Sequence, residues 1–302
     1  MLQLGVDDDV IYEILKGKER TTEKLRNEFI RICSEIRKKG GLPQVNHPFD
    51  VSFSTRYNSE FWDMVEIFES MEIWNGATPF AAGTINAKAF KKWLSLLDEG
   101  KRLTATTGSD THNIYGDDYF GMTEWLDWLM DIVMKHPEIY PVQMNEKVAY
   151  LTWLYKKVWP RLLLWVEQSN TPSTIHNYVY TNGKNQPQEI LQAIREGHSF
   201  ISNGPLVTAE VNGASYGEKA VLKDRTGTLS VHVFSKKPIN HLWMYTGADK
   251  KVELCAKADA AEGGFTYDIA ADEFDFGDAA WALFVADGGE NNLAISNPIL
   301  FA

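Results

Sequence analysis

The chain has 302 residues, 44% of them hydrophobic, enough to bury one large core or two moderate ones, and two domains are the expectation. A formal net charge of -11 and a pI near 5.2 argue against a nucleic-acid partner, because phosphate backbones are held by basic stripes that this sequence lacks. The longest apolar run, Leu162 to Val166, is far short of the roughly 20 residues of a membrane-spanning helix, so no membrane is expected either.

The N-terminal stretch Met1 to Asp9 carries acids where a secretory signal needs a basic region and an apolar run; a cytoplasmic location is expected if Met1 is the natural start. From Thr21 to Lys39, Leu25, Phe29, Ile32, Cys33 and Ile36 recur at helical spacing, and Gly40-Gly41 closes the helix. A strand over 42–46 runs into His47-Pro48, where the proline stops it. A helix around Asn58 to Val65, a strand from Ile67 to Trp74 ending in Asn75-Gly76, and a helix from Ile85 to Leu97 follow. The β-branched run Leu103 to Thr107 then leads into Gly108-Ser-Asp-Thr-His-Asn113. Helix and strand alternate, which predicts a parallel sheet with helical crossovers. In such sheets ligands bind at the carboxyl ends of the strands, where His47, Asn75, Asp110 and His112 all fall.

Asp110 and His112 stand two apart. In extended backbone they face the same side, so carboxylate and imidazole would converge as metal ligands do; the alternative is a loop in which Asp110 caps a helix. Residues 114–176 carry Trp125, Trp128, Trp153, Trp159 and Trp165 at roughly helical spacing and read as an insertion of helices, with the tryptophans in a core or, alternatively, in a lid. His136 and His176 lack partners at ligand spacing. A helix from Gln188 to Glu196 precedes Gly197 to Pro205, after which short alternating strands predict an antiparallel sandwich: 206–211, 229–234, 241–245, 265–269, 281–286 and 299–301. The expected domains are 1–204 and 205–302. His232 and His241 fall on sandwich strands, and Cys33 and Cys255 form neither a disulfide framework nor a Cys-x-x-Cys site, so both read as buried thiols.

Asn46-His47-Pro48, Glu72-Ile-Trp-Asn-Gly76, Gly108-Ser-Asp-Thr-His112 and Ile194 to Pro205 resemble the later part of the polymerase-and-histidinol-phosphatase (PHP) superfamily. The branch they most resemble is that of the CehA/McbA-like metallohydrolases, whose ending Ile295-Ser-Asn-Pro-Ile299 also fits. The resemblance implies a partial, distorted parallel α/β barrel with a helical insertion, followed by an antiparallel β-sandwich. It implies a divalent metal, zinc, manganese or iron, and hydrolysis of a small-molecule substrate such as a phosphate ester by metal-bound water. Carried over by position, His47, Asp110 and His112 match metal ligands, while Glu72 and Asn75 match a motif near the pocket. The family's His-x-His strand, Asp-His pair and bridging Glu come before Asn-His-Pro; here no histidine precedes His47, so the metal site is incomplete and an N-terminally truncated hydrolase is expected. The alternative is a non-catalytic binding protein on the same scaffold. Asn203 and His198 are further pocket candidates, against a reading in which Gly197 caps a helix and Asn203-Gly204-Pro205 is a turn. The sequence is silent on oligomeric state.

Overall fold

Amphipathic spacing produces the first helix, α1 (Thr22–Lys38), which turns Ile32, Cys33 and Ile36 into the core. Burial pushes the Cys33 thiol up to about 12, so it stays protonated and unreactive. The computed structural model describes residues 2–4, 22–49, 59–76, 80–109, 175–254, 258–289 and 292–302. The chain divides into one compact unit of residues 1–108 with 175–302, and another of residues 109–174. Of the latter only Ser109 is described, so Asp110, His112, His136 and the tryptophan-rich insertion lie outside the described residues, as does Cys255.

Four strands, β1 (Leu2–Leu4), β2 (Leu42–Val45), β3 (Ser70–Asn75) and β4 (Thr104–Gly108), form a sheet in that order. β1 is antiparallel to β2, whereas β2, β3 and β4 are parallel. The link between β2 and β3 includes a 3-10 segment, Ser59–Ile67, kinked at Met64, where an α-helix was expected. Between β3 and β4 lies α2 (Ile85–Asp98): Thr84 caps it by accepting from the Ala87 amide at 3.3 Å, and Trp93 anchors it by donating its indole N–H to Leu103 O at 2.8 Å.

The remaining elements are β5 (His176–Val179), α3 (Pro187–Glu196), β6 (Ser199–Ser202), β7 (Leu206–Val211), β8 (Lys219–Ala220), β9 (Thr226–Ser235) and β10 (His241–Gly247). They continue with β11 (Lys250–Glu253), β12 (Ala258–Ala261), β13 (Gly264–Asp275), β14 (Trp281–Asp287), β15 (Leu293–Ser296) and β16 (Ile299–Phe301). A second sheet runs β11-β10-β14-β15-β6-β5, with β16 joining β14 and β8 joining β16; a third runs β12-β13-β9-β7. Strands from before residue 204 thus pair into the same sheet as strands from after it.

The central strands of the second sheet, β14, β15 and β6, are buried on both faces. Along β14, Trp281, Leu283 and Val285 enter the core shared with Trp93, Leu94 and Ala105, while Ala282, Phe284 and Ala286 enter the core shared with Val207, Val231 and Tyr267 of the third sheet. Period-two alternation therefore sends one strand's residues into two cores.

Asparagine side chains finish the strand-free edge of β4. Residues 105 and 107 point their amides and carbonyls away from β3. Asn297 accepts from the Ala105 amide at 2.7 Å and donates to its carbonyl at 3.2 Å; Asn177 does the same for Thr107 at 3.0 and 2.8 Å. Each carboxamide takes the place of a neighbouring strand's peptide group, which leaves this edge without a vacant ladder.

This arrangement corrects the expected PHP-type α/β barrel. Among the described residues there are sixteen strands against three α-helices and one 3-10 helix, in three sheets of which none is closed. Closure requires every strand to find a strand on each side; β4 instead ends its sheet against asparagine side chains.

Candidate functional site

The strand ends of the first sheet carry an anomaly. Strands of a covered parallel sheet normally read as apolar runs, yet Gln44, Ser70, Glu72 and Thr106 are all at least 96% buried. They lie in register: Gln44 pairs with Ser70, and Glu72 with Thr106. The Gln44 carbonyl oxygen accepts from Ser70 Oγ at 3.0 Å and Thr106 Oγ1 at 2.9 Å, and its amide donates to Asn46 Oδ1 at 2.9 Å. The other face of the same strands supplies Val45, Met71, Ile73 and Ala105 to the apolar core. One face packs, and the other is a hydrogen-bonded polar file leading to the carboxyl ends of the strands.

At the end of that file sits Glu72. Its Oε2 accepts the backbone N–H of His47 at 2.6 Å, and its Oε1 lies 2.7 Å from where a Cβ on Gly108 would be. Glycine at position 108 is what leaves room for the carboxyl group. His47 itself has φ 25, unusual for any residue with a side chain and more so before Pro48. Such a backbone costs on the order of 1–3 kcal/mol and persists where its surroundings fix it; here the buried carboxyl group holds the amide. The pairing of β3 with β4 slips by one residue between Glu72 and Trp74, a bulge of the kind that re-aims side chains beside functional sites.

The structure therefore brings together His47 and Glu72, with Gly108 closing the site and Asp110 following two residues on in sequence. Asn75 is buried at the end of β3, its amide and carbonyl both bonded to the Asn86 side chain at 2.9 and 3.0 Å, which fixes the turn into Gly76. Asn203 is bonded elsewhere: its Oδ1 accepts from the Leu293 amide at 2.8 Å and its own amide donates to Leu293 O at 3.1 Å, so among the described residues its bonds fasten β6 to β15. His198 follows the C-terminus of α3, near the start of β4 rather than its end. Gln44 and Thr106 were missed at the sequence level. Their signal was a polar residue at every second position, Gln44-Asn46, Ser70-Glu72 and Thr104-Thr106, in strands otherwise rich in β-branched and apolar residues.

Among the described residues no three His, Cys, Asp or Glu side chains group closely enough to hold a metal ion. An imidazole and a carboxyl group are donors of the kind that zinc, manganese and iron accept; His47 and Glu72 carry these groups, and the bond that joins the two residues is made by the His47 backbone amide. The chain matches no family model, no curated protein and no solved structure.

Replacing Glu72 with alanine should cost about 1–3 kcal/mol of stability, because the His47 amide loses its acceptor and the buried file loses its terminal member. Glu72→Gln, which retains an oxygen acceptor, should cost less. Urea unfolding of the two variants reads the difference, and equal midpoints would show that the clamp on His47 holds nothing.

Proposed function

We propose that the strand ends of β2, β3 and β4 belong to a divalent-metal site and that the chain is a metal-dependent hydrolase acting on a small molecule such as a phosphate ester, in the manner of the PHP phosphoesterases. The observation that carries the reading is His47: a histidine before proline, at a positive φ, whose amide is held by a buried carboxyl group. Such a site is built from the strand ends and the residues that follow them, and needs no closed barrel.

His47, Asp110 and His112 are the proposed ligands. His47 would bind through a neutral ring nitrogen, its direction set by the Glu72 clamp on the backbone. Glu72 positions His47 and is not itself required as a ligand. Gly108, by carrying no side chain, leaves Glu72 its place beside the strand end. A divalent ion held there would lower the pKa of a water molecule and polarise a phosphoryl or carbonyl oxygen. The polar file of Gln44, Ser70 and Thr106 keeps the carboxyl end of the sheet hydrogen-bonded without closing it with apolar side chains.

Metal content by mass spectrometry of the purified chain, followed by titration with zinc and manganese, tests the reading. Loading of about one ion per chain is expected, with a rise in melting temperature that reflects mass-action stabilisation of about 2.7 kcal/mol at a hundredfold excess over Kd. His47→Ala and Asp110→Asn should each abolish that rise, and zinc- or manganese-dependent release of nitrophenol from p-nitrophenyl phosphate should vanish with it. A chain that retains no ion and shows no metal-dependent shift would leave the non-catalytic binding protein as the better account.

A further inference from the structure

We propose that a second cavity, at the start of β4, binds a small organic anion with an apolar body, a carboxylate or a phosphate monoester. It encloses about 360 Å³, within the range of roughly 300–1,000 Å³ usual for small-molecule sites. Leu97 and Leu103, both buried, form its floor together with the half-buried Leu300, and Arg102, Arg195 and His198 line its more exposed part. Apolar below and cationic above, the cavity has the two halves that an amphipathic anion needs.

Arg195 is fixed in place. Arg195 donates to Glu69 Oε2 at 2.7 Å, to Gln192 Oε1 at 2.9 Å and to Gly41 O at 3.2 Å. A guanidinium has five N–H donors in a rigid fork, so these three bonds orient the group and leave donors unused. The other oxygen of Glu69 accepts from Arg37 Nε at 2.6 Å, so one carboxylate faces two guanidiniums and the cluster remains positive. Arg102 is exposed and makes no hydrogen bond or ion pair among the described residues. Glu196 lies on the same rim and offsets part of this charge, its carboxylate 3.6 Å from His198 Nδ1 and 2.6 Å from Gln192 Nε2. A cationic excess remains, against a net charge of -11 for the chain.

A helix C-terminus ordinarily repels anions, but the last turn of α3 is largely occupied. The carbonyl of Ala193 accepts from the His198 amide at 2.9 Å, and that of Ile194 accepts from the Gly197 amide at 3.0 Å and from Thr104 Oγ1 at 2.6 Å. Arginine pairs with carboxylate and phosphate through parallel N–H donors, and the leucine floor favours a ligand with a hydrocarbon or aryl body over an inorganic ion.

Calorimetric titration of the full chain with benzoate and with phenyl phosphate, and with benzyl alcohol as the neutral control, tests the site; the anion bound more tightly identifies the class. Arg102→Ala should weaken binding about tenfold and Arg102→Glu further, with unchanged melting temperatures because Arg102 supports no other group. His47→Ala should leave this binding intact, which separates it from the proposed metal site. Failure of both anions to bind below about 10 mM, equal binding of benzyl alcohol, or undiminished binding by Arg102→Glu would each overturn the proposal.

Discussion

Asn297→Ala should lower the stability of the chain by about 3–5 kcal/mol. The side chain is fully buried and makes four hydrogen bonds: it accepts from the Ala105 amide at 2.7 Å and donates to the Ala105 carbonyl at 3.2 Å, the Ser199 carbonyl at 3.0 Å and Ser199 Oγ at 3.0 Å. Truncation leaves the Ala105 amide and carbonyl without partners inside the protein, and each such group costs about 1–3 kcal/mol. The Ser199 carbonyl keeps the Asn297 backbone amide at 3.1 Å, so it adds little. Asn177→Ala is the informative comparison. It strips Thr107 of the same two bonds, but Asn177 is exposed, water can replace it, and the loss should be about 1 kcal/mol. Urea denaturation followed by circular dichroism measures both; a loss below 1 kcal/mol for Asn297→Ala would mean that the edge of β4 does not depend on the carboxamide.

Gly217→Ala is expected to be comparably damaging for a steric reason. Gly217 has φ 79, and a Cβ there would stand 2.0 Å from Glu196 O and 2.8 Å from His198 Cδ2. The nearer atom is backbone, at the C-terminus of α3, and Gly217 is itself pinned by the hydrogen bond that its N–H donates to Pro298 O at 2.8 Å. Neither chain can retreat without breaking what holds it. The expected loss is about 3 kcal/mol or more, the strained φ contributing about 1 kcal/mol and the clash the rest. Gly263→Ala isolates the first contribution, since Gly263 has φ 80 and nothing within 4 Å of its would-be Cβ. Equal urea midpoints for the two variants would show that the contact between Gly217 and α3 is not tight.

Periodicity made the individual elements legible. The helix expected over Thr21 to Lys39 is α1 at 22–38, that over Ile85 to Leu97 is α2 at 85–98, and the strands expected at 206–211 and 299–301 are β7 and β16 with those bounds. Pairing over long sequence separations was not legible. β6 and β15 pair in a register that joins Ser202 to Ala294, a partnership that nothing local to either segment marks. β15 leads into Asn297, and β5, the partner of β6, carries Asn177. The barrel that the PHP resemblance implied failed on such contacts, which no local pattern encodes, whereas the parallel sheet expected from helix-strand alternation is present as β2, β3 and β4. At the site, Asn46-His47-Pro48 drew attention to His47 through its residue types, whereas the clamp by Glu72 depends on the absence of a side chain at Gly108, across the sheet. Asn203 illustrates the converse: a polar residue opening an Asn-Gly-Pro turn has the look of a pocket residue, but its carboxamide bonds the Leu293 backbone.

The division of β14 between two cores bears on how this protein can be cut. A fragment starting at residue 205 would retain β14 and β15 but lose the helices and strands that cover Trp281, Leu283, Val285 and Ile295. Those side chains would then form one continuous oily face on a sheet, the kind of surface that drives self-association. Poor solubility is the natural fate of such a fragment, and the C-terminal strands are a companion to the residues before them rather than a portable module.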